Sequence, residues 1–455
     1  MNESSECLKL QTRSESIESY GFPSRLLSSG QHLMVFRKHI ALISVHGDPA
    51  IDIGKEEAGG QNVYVRQVGE ALADRGWQVD MFTRKASATQ ETVVEHGPNC
   101  RTIRLVAGPE DFVPRDEIFK YLPDFVTQLR KFQLNHNIQY PIIHTNYWLS
   151  SWVGMELKKV QPVQLVHTYH SLGAVKYKSI SDIPPIANTR LEVEKACLET
   201  ADCIVATSPQ EQEHMGTLVS EQGNIQIIPC GTDIEQFGSV SPAKARLRLG
   251  LPKHSLVVMY VGRFDQRKGI ETLVRAMSRS IFPGLADIRL IIAGGSTPGK
   301  SDGIERDRIE KIVDELGMRD YTMFPGQVDH ETLKHYYAAA NVCVVPSHYE
   351  PFGLVAIEAM ASGTPVVASN VGGLKYTVVN EKTGLLCPPK DDEAFAQAID
   401  RILSRPDWRA ELGKAARKRV ESNFTWPAVA SQLDELYASM LGEPTQEELP
   451  VAVVA

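Results

Sequence analysis

The sequence lacks several features that mark common classes of protein. It has no run of about 18 apolar residues, so no membrane-spanning helix is expected. Its seven cysteines show no CxxC spacing, which argues against structural zinc and predicts buried free thiols in a reducing compartment. The formal net charge of −8 argues against nucleic acid or an anionic membrane as the main partner. These absences favour a cytoplasmic protein that acts on small molecules.

Length and periodicity predict two domains. The chain has 455 residues, enough for two separate cores. Buried-strand and amphipathic-helix patterns alternate from His39 onward, and the same alternation restarts at Leu256. This pattern predicts an α/β protein with two Rossmann-like, doubly wound domains that face a central cleft, with ligands at the carboxyl ends of the strands.

Composition places the boundaries of these domains. Residues 1–37 are rich in Ser, Glu and Gln and predict a mobile tail that is neither a signal peptide nor a domain. We predict a first domain at 38–235, a second at 236–422, a final helix at 423–441 and a second mobile tail at 442–455.

The stretch VCVVPSHYEPFGLVAIEAMASGTPVVA, residues 342–368, predicts a buried strand, a polar loop, a helix and a second strand. Free backbone N–H groups at the start of this helix suit an anion. Glu350 and Glu358 repel phosphate but accept hydrogen bonds from hydroxyl groups. The combination indicates a nucleotide-sugar pocket, although a helix-dipole role explains the two glutamates equally well when they are taken alone.

Three further loops of the second half follow predicted strands. Arg263 and Lys268 lie in the first loop, where cations suit a diphosphate, although such a loop can also be a solvated basic turn. Gly295 in the second loop allows close backbone approach to a ligand. Val328 ends the third loop, whose backbone suits a flat base. Four such loops at one sheet edge favour the nucleotide-sugar interpretation.

The first half contains a double-glycine loop, Gly59-Gly60-Gln61-Asn62, that opens a helix. It is not a GxGxxG fingerprint, and Thr83-Arg84-Lys85 stands where a dinucleotide site needs an acidic residue. A dehydrogenase is therefore not expected.

Basic and aromatic residues also follow strands of the first half. Arg190 lies near a helix start, where a cation meets an unfavourable dipole and an anionic ligand would explain it. Together these residues predict a second anion site, although each one alone is explained as a surface charge. The set is Arg115, Tyr147, Lys176, Lys178 and Arg190, with His46, His167 and His170 at strand ends.

From about His39 to Leu441 the sequence resembles the retaining nucleotide-sugar glycosyltransferases of family 4, which have the GT-B fold. The motifs that carry the resemblance are GGQNVYV, VGRFDQRKG and EPFGLVAIEAMASGTPVVA. Within that family, SVHGDPA and HTYHSLGAVK are most similar to sucrose-phosphate synthases of the short, cyanobacterial kind. HTNYWLSSWVG is equally similar to the inositol-phosphate glycosyltransferases of the mycothiol pathway. Both groups use a phosphorylated acceptor.

The resemblance implies a role for each matched residue. The implied catalytic residues are His170, Arg263, Lys268 and Glu350. Donor binding is implied for Gly60, Gly295, Val328, Phe352, Gly353, Leu354 and Glu358. Acceptor binding is implied for Gln61, Asn62, Arg115, Tyr147, Ser171, Lys176 and Arg190. Residues 423–441 resemble the helix that returns to the first, acceptor-binding domain in relatives.

The implied reaction moves glucose from UDP-glucose to fructose 6-phosphate, giving sucrose 6-phosphate with retention. Inositol phosphate or free fructose as the acceptor, ADP in place of UDP, and a non-catalytic nucleotide-sugar binder are the alternatives. No cofactor or metal is expected, and a sucrose-phosphate phosphatase is the candidate protein partner. Glu110-Asp111 stands where synthases commonly carry a second lysine, and Tyr147-Trp148-Leu149 departs from their usual motif, so the acceptor is the least determined element.

Overall fold

A computed structural model describes residues 39–51, 59–179, 183–281 and 287–442. The predicted tail at 1–37 lies outside these ranges, as does the tail at 442–455 apart from Gly442. No helix in the described ranges combines the length and apolar character needed to cross a membrane. All six cysteines there are buried and free, as predicted.

The first half of the chain forms an eight-stranded sheet in the order β3-β4-β2-β1-β5-β6-β7-β8. Its strands are β1 (His39–Ile43), β2 (Gln78–Arg84), β3 (Val93–Gly97), β4 (Cys100–Leu105), β5 (Ile142–Asn146), β6 (Gln164–Thr168), β7 (Cys203–Ala206) and β8 (Ile225–Ile227). All neighbours are parallel except β3, which pairs antiparallel with β4. Sequence analysis missed β3 because this edge strand is largely exposed and has no apolar run.

Helices connect these strands. They are α1 (Gly60–Asp74), α2 (Leu122–His136), α3 (Trp148–Val160), α4 (Gly173–Lys176), α5 (Ala187–Thr200) and α6 (Pro209–Leu218), with short 3-10 helices at Arg115–Tyr121 and Tyr177–Ser179. Local sequence sets their starts. Ser208 caps α6 by accepting the Glu211 N–H at 3.2 Å, and Pro209 occupies the first helical position, where its missing N–H is not needed.

The second half forms a six-stranded parallel sheet in the order β11-β10-β9-β12-β13-β14. Its strands are β9 (Leu256–Val261), β10 (Ile288–Ala293), β11 (Thr322–Gly326), β12 (Val342–Val345), β13 (Val366–Ser369) and β14 (Gly384–Cys387). Its helices are α7 (Ile234–Gly238), α8 (Pro242–Arg248), α9 (Ile270–Arg279), α10 (Ser301–Glu315), α11 (His330–Ala339), α12 (Leu354–Ala361), α13 (Leu374–Thr377), α14 (Asp392–Leu403), α15 (Pro406–Asn423) and α16 (Trp426–Leu441), with 3-10 helices at Gln266–Lys268 and Arg319–Tyr321. The two sheets confirm the predicted two-domain α/β fold.

The last helix, α16, lies against the first half of the chain. Its Asp434 accepts a hydrogen bond from the Trp77 indole N–H at 2.9 Å and forms an ion pair with Arg75 at 3.1 Å. Tyr437 bonds the buried His144 ring at 2.7 Å. These contacts hold α16 against the first sheet.

Each sheet reverses its strand order beside its first strand. β1 lies between β2 and β5, and β9 lies between β10 and β12. In open parallel sheets, the crevice beyond the carboxyl ends at such a switch point is where ligands bind. The loops after β1, β5, β9 and β12 therefore frame the candidate site.

Candidate active site

Glycines bring three loops of the second sheet together. The Gly294 N–H donates to the Gly326 carbonyl at 2.9 Å, and a Cβ placed on Gly294 would lie 2.1 Å from the Gly262 carbonyl oxygen. Only glycine permits this approach. The neighbouring residues Gly295 and Val328 are half-buried at the same edge. The predicted clustering of loops at one edge is therefore observed.

An ion pair joins the loops after β9 and β12. Lys268 Nζ lies 2.5 Å from Glu350 Oε2, and the Ser347 hydroxyl donates to the same oxygen at 3.3 Å. Gly269 has a φ of 67°, and a Cβ there would lie 2.1 Å from the Pro346 carbonyl oxygen. The pair places a cation beside a carboxylate where the two predicted donor loops meet. Arg263, in the same loop as Lys268, is exposed.

Gly353 turns the chain into α12 with a φ of 96°, a conformation that side-chain-bearing residues rarely adopt. Phe352 before it is buried, and Leu354 begins the helix. The first N–H groups of α12 therefore face the loop that carries Glu350, as an anion site requires.

A second glycine pair, Gly372-Gly373, packs against the backbone of this turn. The Gly373 N–H donates to the Glu350 carbonyl at 3.0 Å, and a Cβ on Gly373 would lie 2.1 Å from the Pro351 carbonyl oxygen. A Cβ on Gly372 would lie 2.2 Å from the Glu350 carbonyl oxygen. Sequence analysis missed Gly372-Gly373, although a double glycine directly after β13 was the available signal.

Both halves line a cavity of about 500 Å³. Glu358 faces it, held by the Tyr337 hydroxyl, which donates to its carboxylate at 2.7 Å. Leu354 and Asn62 line it from the starts of α12 and α1. A Cβ on Gly60 would lie 2.9 Å from Leu354 Cδ1, so this glycine lets α1 approach the second half closely.

Two of the predicted cations of the first half, Arg115 and Arg190, lie over the Tyr147 ring. The guanidinium carbon of Arg190 lies 4.9 Å from the ring centroid, and that of Arg115 lies 5.8 Å from it. Arg190 Nη1 donates to the Tyr147 hydroxyl at 3.0 Å. Tyr147 itself has φ 71° and ψ 154°, a region that is otherwise almost confined to glycine. Such strain concentrates at functional sites, and here it sets a ring between two cations.

The structure corrects one argument about Arg190. Glu194, one turn further along α5, pairs with its Nε at 2.7 Å, and both side chains are buried. An anionic ligand is therefore not needed to explain this cation near the start of α5. Arg190 Nη2 also donates to the Ser171 carbonyl at 2.6 Å, and Glu194 accepts the Gly173 N–H at 2.8 Å. The pair fixes the loop that carries Ser171.

Lys176 lies in α4, which follows this loop. Burial lowers the pKa of its ammonium to about 8, and the nearby positive charges of Arg115, Arg190 and Arg267 act in the same direction. Like charges brought together in this way indicate a place for an anion. Lys178, in contrast, is exposed.

His170 follows β6 with a φ of 59°. Its Nε2 lies 2.8 Å from the Asn146 side-chain oxygen, and because an amide oxygen only accepts, Nε2 carries the proton. Burial lowers the pKa of His170 to about 3, so the ring is neutral at pH 7. Nδ1 then offers a lone pair to a hydroxyl group.

Sequence analysis noted His46 at a strand end but assigned it no role. Its ring centroid lies 4.5 Å from that of Tyr147, and its Nδ1 is buried without a hydrogen bond to any described residue. Burial, followed by the charge of Arg115, holds the pKa of His46 well below its usual value. His46 is therefore a neutral, half-buried ring at the cation cluster.

Gln61 and Asn62, the two residues of the double-glycine loop predicted to bind the acceptor, form hydrogen bonds within the protein. Gln61 Nε2 donates to the Ser44 hydroxyl at 2.9 Å. Asn62 donates to the Asp48 carbonyl at 3.0 Å and accepts the Gly59 N–H at 3.1 Å, which caps α1. Asn62 thus shapes the loops, and its predicted contact with a ligand stays a prediction.

Glu110-Asp111, which stands where synthases commonly carry a second lysine, also contacts groups within the protein. Glu110 pairs with Lys85 at 2.7 Å, and the Asp111 carbonyl accepts a hydrogen bond from Arg84 at 3.0 Å. Lys85 thus offsets the charge of Glu110, while Arg84 anchors the backbone of this loop.

Comparison with known proteins agrees with this geometry. The family model for glycosyl transferases group 1 matches residues 243–419, and the model for glycosyltransferase family 4 matches residues 58–236. A D-inositol 3-phosphate glycosyltransferase of Corynebacterium urealyticum is 36% identical over 418 residues, which cover 90% of this chain and 96% of the relative. The chain belongs to the family-4 glycosyltransferases with the GT-B fold.

Two solved structures extend the comparison. Sucrose-phosphate synthase from Thermosynechococcus elongatus has a TM-score of 0.82 and 54% sequence identity, covering 89% of this chain and all (100%) of that chain. Anabaena HepE, whose structure is a complex with UDP and glucose, has a TM-score of 0.70 at 19% identity over 89% of this chain and 100% of that chain, a likeness of fold alone. The predicted family and fold are confirmed.

Proposed function

We propose that this glycosyltransferase moves glucose from UDP-glucose to fructose 6-phosphate and forms sucrose 6-phosphate with retention at the anomeric carbon. The observation that carries the proposal is a second group of cations, in the first half: Arg115 and Arg190 lie over the Tyr147 ring, and their charges act on the ammonium of Lys176. A second cluster suits an acceptor with its own phosphate. The similarity to a sucrose-phosphate synthase at 54% identity supports fructose 6-phosphate as that acceptor.

The donor loops suit departure of a diphosphate. When the bond between glucose C1 and the diphosphate oxygen breaks, its electron pair goes to the leaving group. Arg263, Lys268 and the first N–H groups of α12 stabilise the charge that develops there.

The acceptor hydroxyl attacks C1 from the face that the diphosphate leaves, through an oxocarbenium-like state. The leaving diphosphate takes the proton of that hydroxyl, which balances the transfer and retains the configuration. The neutral His170 ring accepts a hydrogen bond at Nδ1 and shapes the sugar pocket, and Glu350 accepts sugar hydroxyls. This scheme needs no metal or cofactor.

Inositol phosphate is the second candidate acceptor. It is favoured by the inositol 3-phosphate glycosyltransferases, which are 36% identical to the chain over 90% of its length. The same cation cluster would bind the phosphate of either acceptor. A cytoplasmic location and association with a sucrose-phosphate phosphatase complete the proposal.

An acceptor panel tests the assignment. Purified protein is given UDP-glucose with fructose 6-phosphate, fructose, glucose 6-phosphate or inositol 3-phosphate, and UDP release is measured together with the product. We expect fructose 6-phosphate to react fastest. Preference for inositol 3-phosphate selects the second candidate, and reaction with fructose alone removes the phosphate role of Arg115, Lys176 and Arg190. ADP-glucose in parallel decides the base preference.

A further inference from the structure

Asn146, the last residue of β5, contacts the His170 ring but takes no part in the proposed transfer steps. The parallel register of β5 and β6 pairs Asn146 with Thr168, two residues before His170. This register brings the side-chain oxygen of Asn146 to 2.8 Å from Nε2 of the His170 ring. Only 1% of Asn146 is exposed, so water does not compete for the contact.

Two backbone carbonyls fix which end of the Asn146 amide faces His170. Its Nδ2 donates to the His144 carbonyl at 3.4 Å and to the Ile43 carbonyl at 3.5 Å. A reversed amide would direct its oxygen at these two carbonyl oxygens, which only accept, and both hydrogen bonds would be lost. The amide oxygen therefore faces His170, and because that oxygen only accepts, the ring donates from Nε2.

Packing holds the His170 ring from other directions. Its centroid lies 4.7 Å from that of Tyr64, and the two ring planes meet at 74°. Tyr64 is itself buried and packs edge-on against Trp426, with the centroids 5.9 Å apart. The φ of 59° at His170, which residues with side chains rarely adopt, adds backbone strain of the kind found at functional sites. Nδ1, in contrast, makes no hydrogen bond to any residue that the structure describes.

We propose that Asn146 is the positioning residue of the His170 ring: it holds the proton on Nε2 and thereby keeps Nδ1 as the acceptor for a hydroxyl group of the bound sugar. The inference rests on the proposed function in one respect, that a sugar hydroxyl meets Nδ1. A neutral imidazole has one donor and one acceptor nitrogen, so a partner that fixes the donor also fixes the acceptor. In the other tautomer Nδ1 would donate, and the hydroxyl could not direct its own proton at the ring.

Nitrogen NMR of the full chain, carrying isotopically labelled histidine, tests the assignment without any substrate. The ring signals of His170 are those that disappear in His170→Gln, and their shifts report which nitrogen carries the proton. In the wild-type protein at neutral pH we expect the proton on Nε2. In Asn146→Leu, which removes the acceptor, we expect the two nitrogens to share the proton, so that their shifts move toward one another.

Two further variants control for the loss of a buried amide. Asn146→Asp keeps an oxygen that accepts from Nε2, so the wild-type tautomer should be restored. Asn341→Leu removes a half-buried amide of the second half that accepts from Arg246 at 2.8 Å, and it should leave both His170 shifts unchanged.

Turnover measures the consequence for the reaction. With UDP-glucose and the acceptor that reacts fastest, Asn146→Leu should lower kcat by about 10–100-fold, less than the loss of a general base, because His170 takes no proton in the proposed transfer. Asn146→Asp should recover most of this loss, and Asn341→Leu should turn over at the wild-type rate.

A proton on Nδ1 in the wild-type protein overturns the proposal, and this measurement needs no variant to fold. Shifts of His170 that stay unchanged in Asn146→Leu overturn it as well. A normal kcat in a variant whose shifts have moved refutes the contact between Nδ1 and a substrate hydroxyl. The NMR measurement contains no sugar, so failure of fructose 6-phosphate in the acceptor panel leaves it intact.

Discussion

The two groups of cations in this protein are held in opposite ways. In the first half, Arg190 is buried, paired with Glu194 at 2.7 Å and bonded to Tyr147. In the second half, Arg263 is exposed, and Lys268 pairs with the sugar-binding candidate Glu350. Arg190 is thus desolvated and oriented by folding, whereas Arg263 keeps its water and Lys268 keeps a partner that a ligand must displace. The comparison indicates that the predicted acceptor cation Arg190 is in place before a ligand binds, whereas the predicted donor cations Arg263 and Lys268 exchange water or a protein partner for the ligand.

The largest effect is expected from a variant that breaks the buried Arg190–Glu194 ion pair. Arg190→Met leaves Glu194 buried without its cation, and we expect the free energy of unfolding to fall by about 3–5 kcal/mol. Urea denaturation followed by circular dichroism measures it. Arg263→Met, at an exposed position, should stay within about 0.5 kcal/mol of the wild type. Equal stabilities for the two variants would remove the contrast between the sites.

The next test concerns the cations of the second half and measures turnover. Arg263→Ala removes a cation from the developing charge of the diphosphate, and we expect kcat to fall by about 10²–10³-fold. Initial rates at varied acceptor should give a KM for the acceptor within about threefold of the wild-type value, because the acceptor site is separate. Arg275→Ala should turn over at the wild-type rate. An unchanged kcat in Arg263→Ala would refute the diphosphate role.

Acid should weaken the first half through its buried histidines. Burial lowers the pKa of His144 to about 3 and that of His167 well below its usual value, so both are neutral in the folded protein. In the unfolded chain they take up protons below about pH 6.5, so stability falls as pH falls. We expect a loss of about 1.4 kcal/mol per pH unit for each histidine.

Unfolding free energies at about pH 7 and about pH 5.5 measure this slope. His144→Gln removes one titrating group and should make the slope shallower by about 1.4 kcal/mol per pH unit. A slope that the substitution leaves unchanged would show that His144 does not contribute.

The smallest effect concerns the pH dependence of acceptor use. Burial and the charges of Arg115, Arg190 and Arg267 lower the pKa of Lys176 to about 8, so its positive charge is present below that pH and lost above it. We expect kcat/KM for the acceptor to fall by up to about tenfold per pH unit above about pH 8, because this ratio reports the free enzyme.

The matched variant for this effect is Lys176→Arg. A guanidinium stays protonated throughout, so the alkaline fall in kcat/KM for the acceptor should disappear. Persistence of the fall in Lys176→Arg would assign it to another group.

Local patterns predicted much of the second half. The predicted strand, loop, helix and strand over residues 342–368 are observed as β12, the loop that carries Glu350, α12 and β13, and Gly363 follows the end of α12 with a φ of 76°. These features depend on residues close together in the chain. The exposed strand β3 was missed, because its pairing with β4 gives no apolar signal.

The candidate site was predicted less completely. Arg190 was placed at the site, but its partner Glu194 was not foreseen. His46 and Gly372-Gly373 were left without a role. The Arg190–Glu194 pair has the i,i+4 spacing of a helical ion pair, so a local signal for it was available. The surroundings of His46 and Gly372-Gly373 depend instead on residues far away in the sequence, such as the close approach of Gly372 to the Glu350 carbonyl oxygen at 2.2 Å. Spacing along the chain does not encode such contacts.

The sequence by itself determined the alternation of strands and helices, the family and the residue types available at the loops, because hydrophobic periodicity and motif spacing are local properties. Only the tertiary structure decided which cations are buried and paired and which are exposed. Lys268 and Glu350 are 82 residues apart and meet at 2.5 Å. Burial and Coulomb interactions depend on distance in space, and folding alone sets that distance.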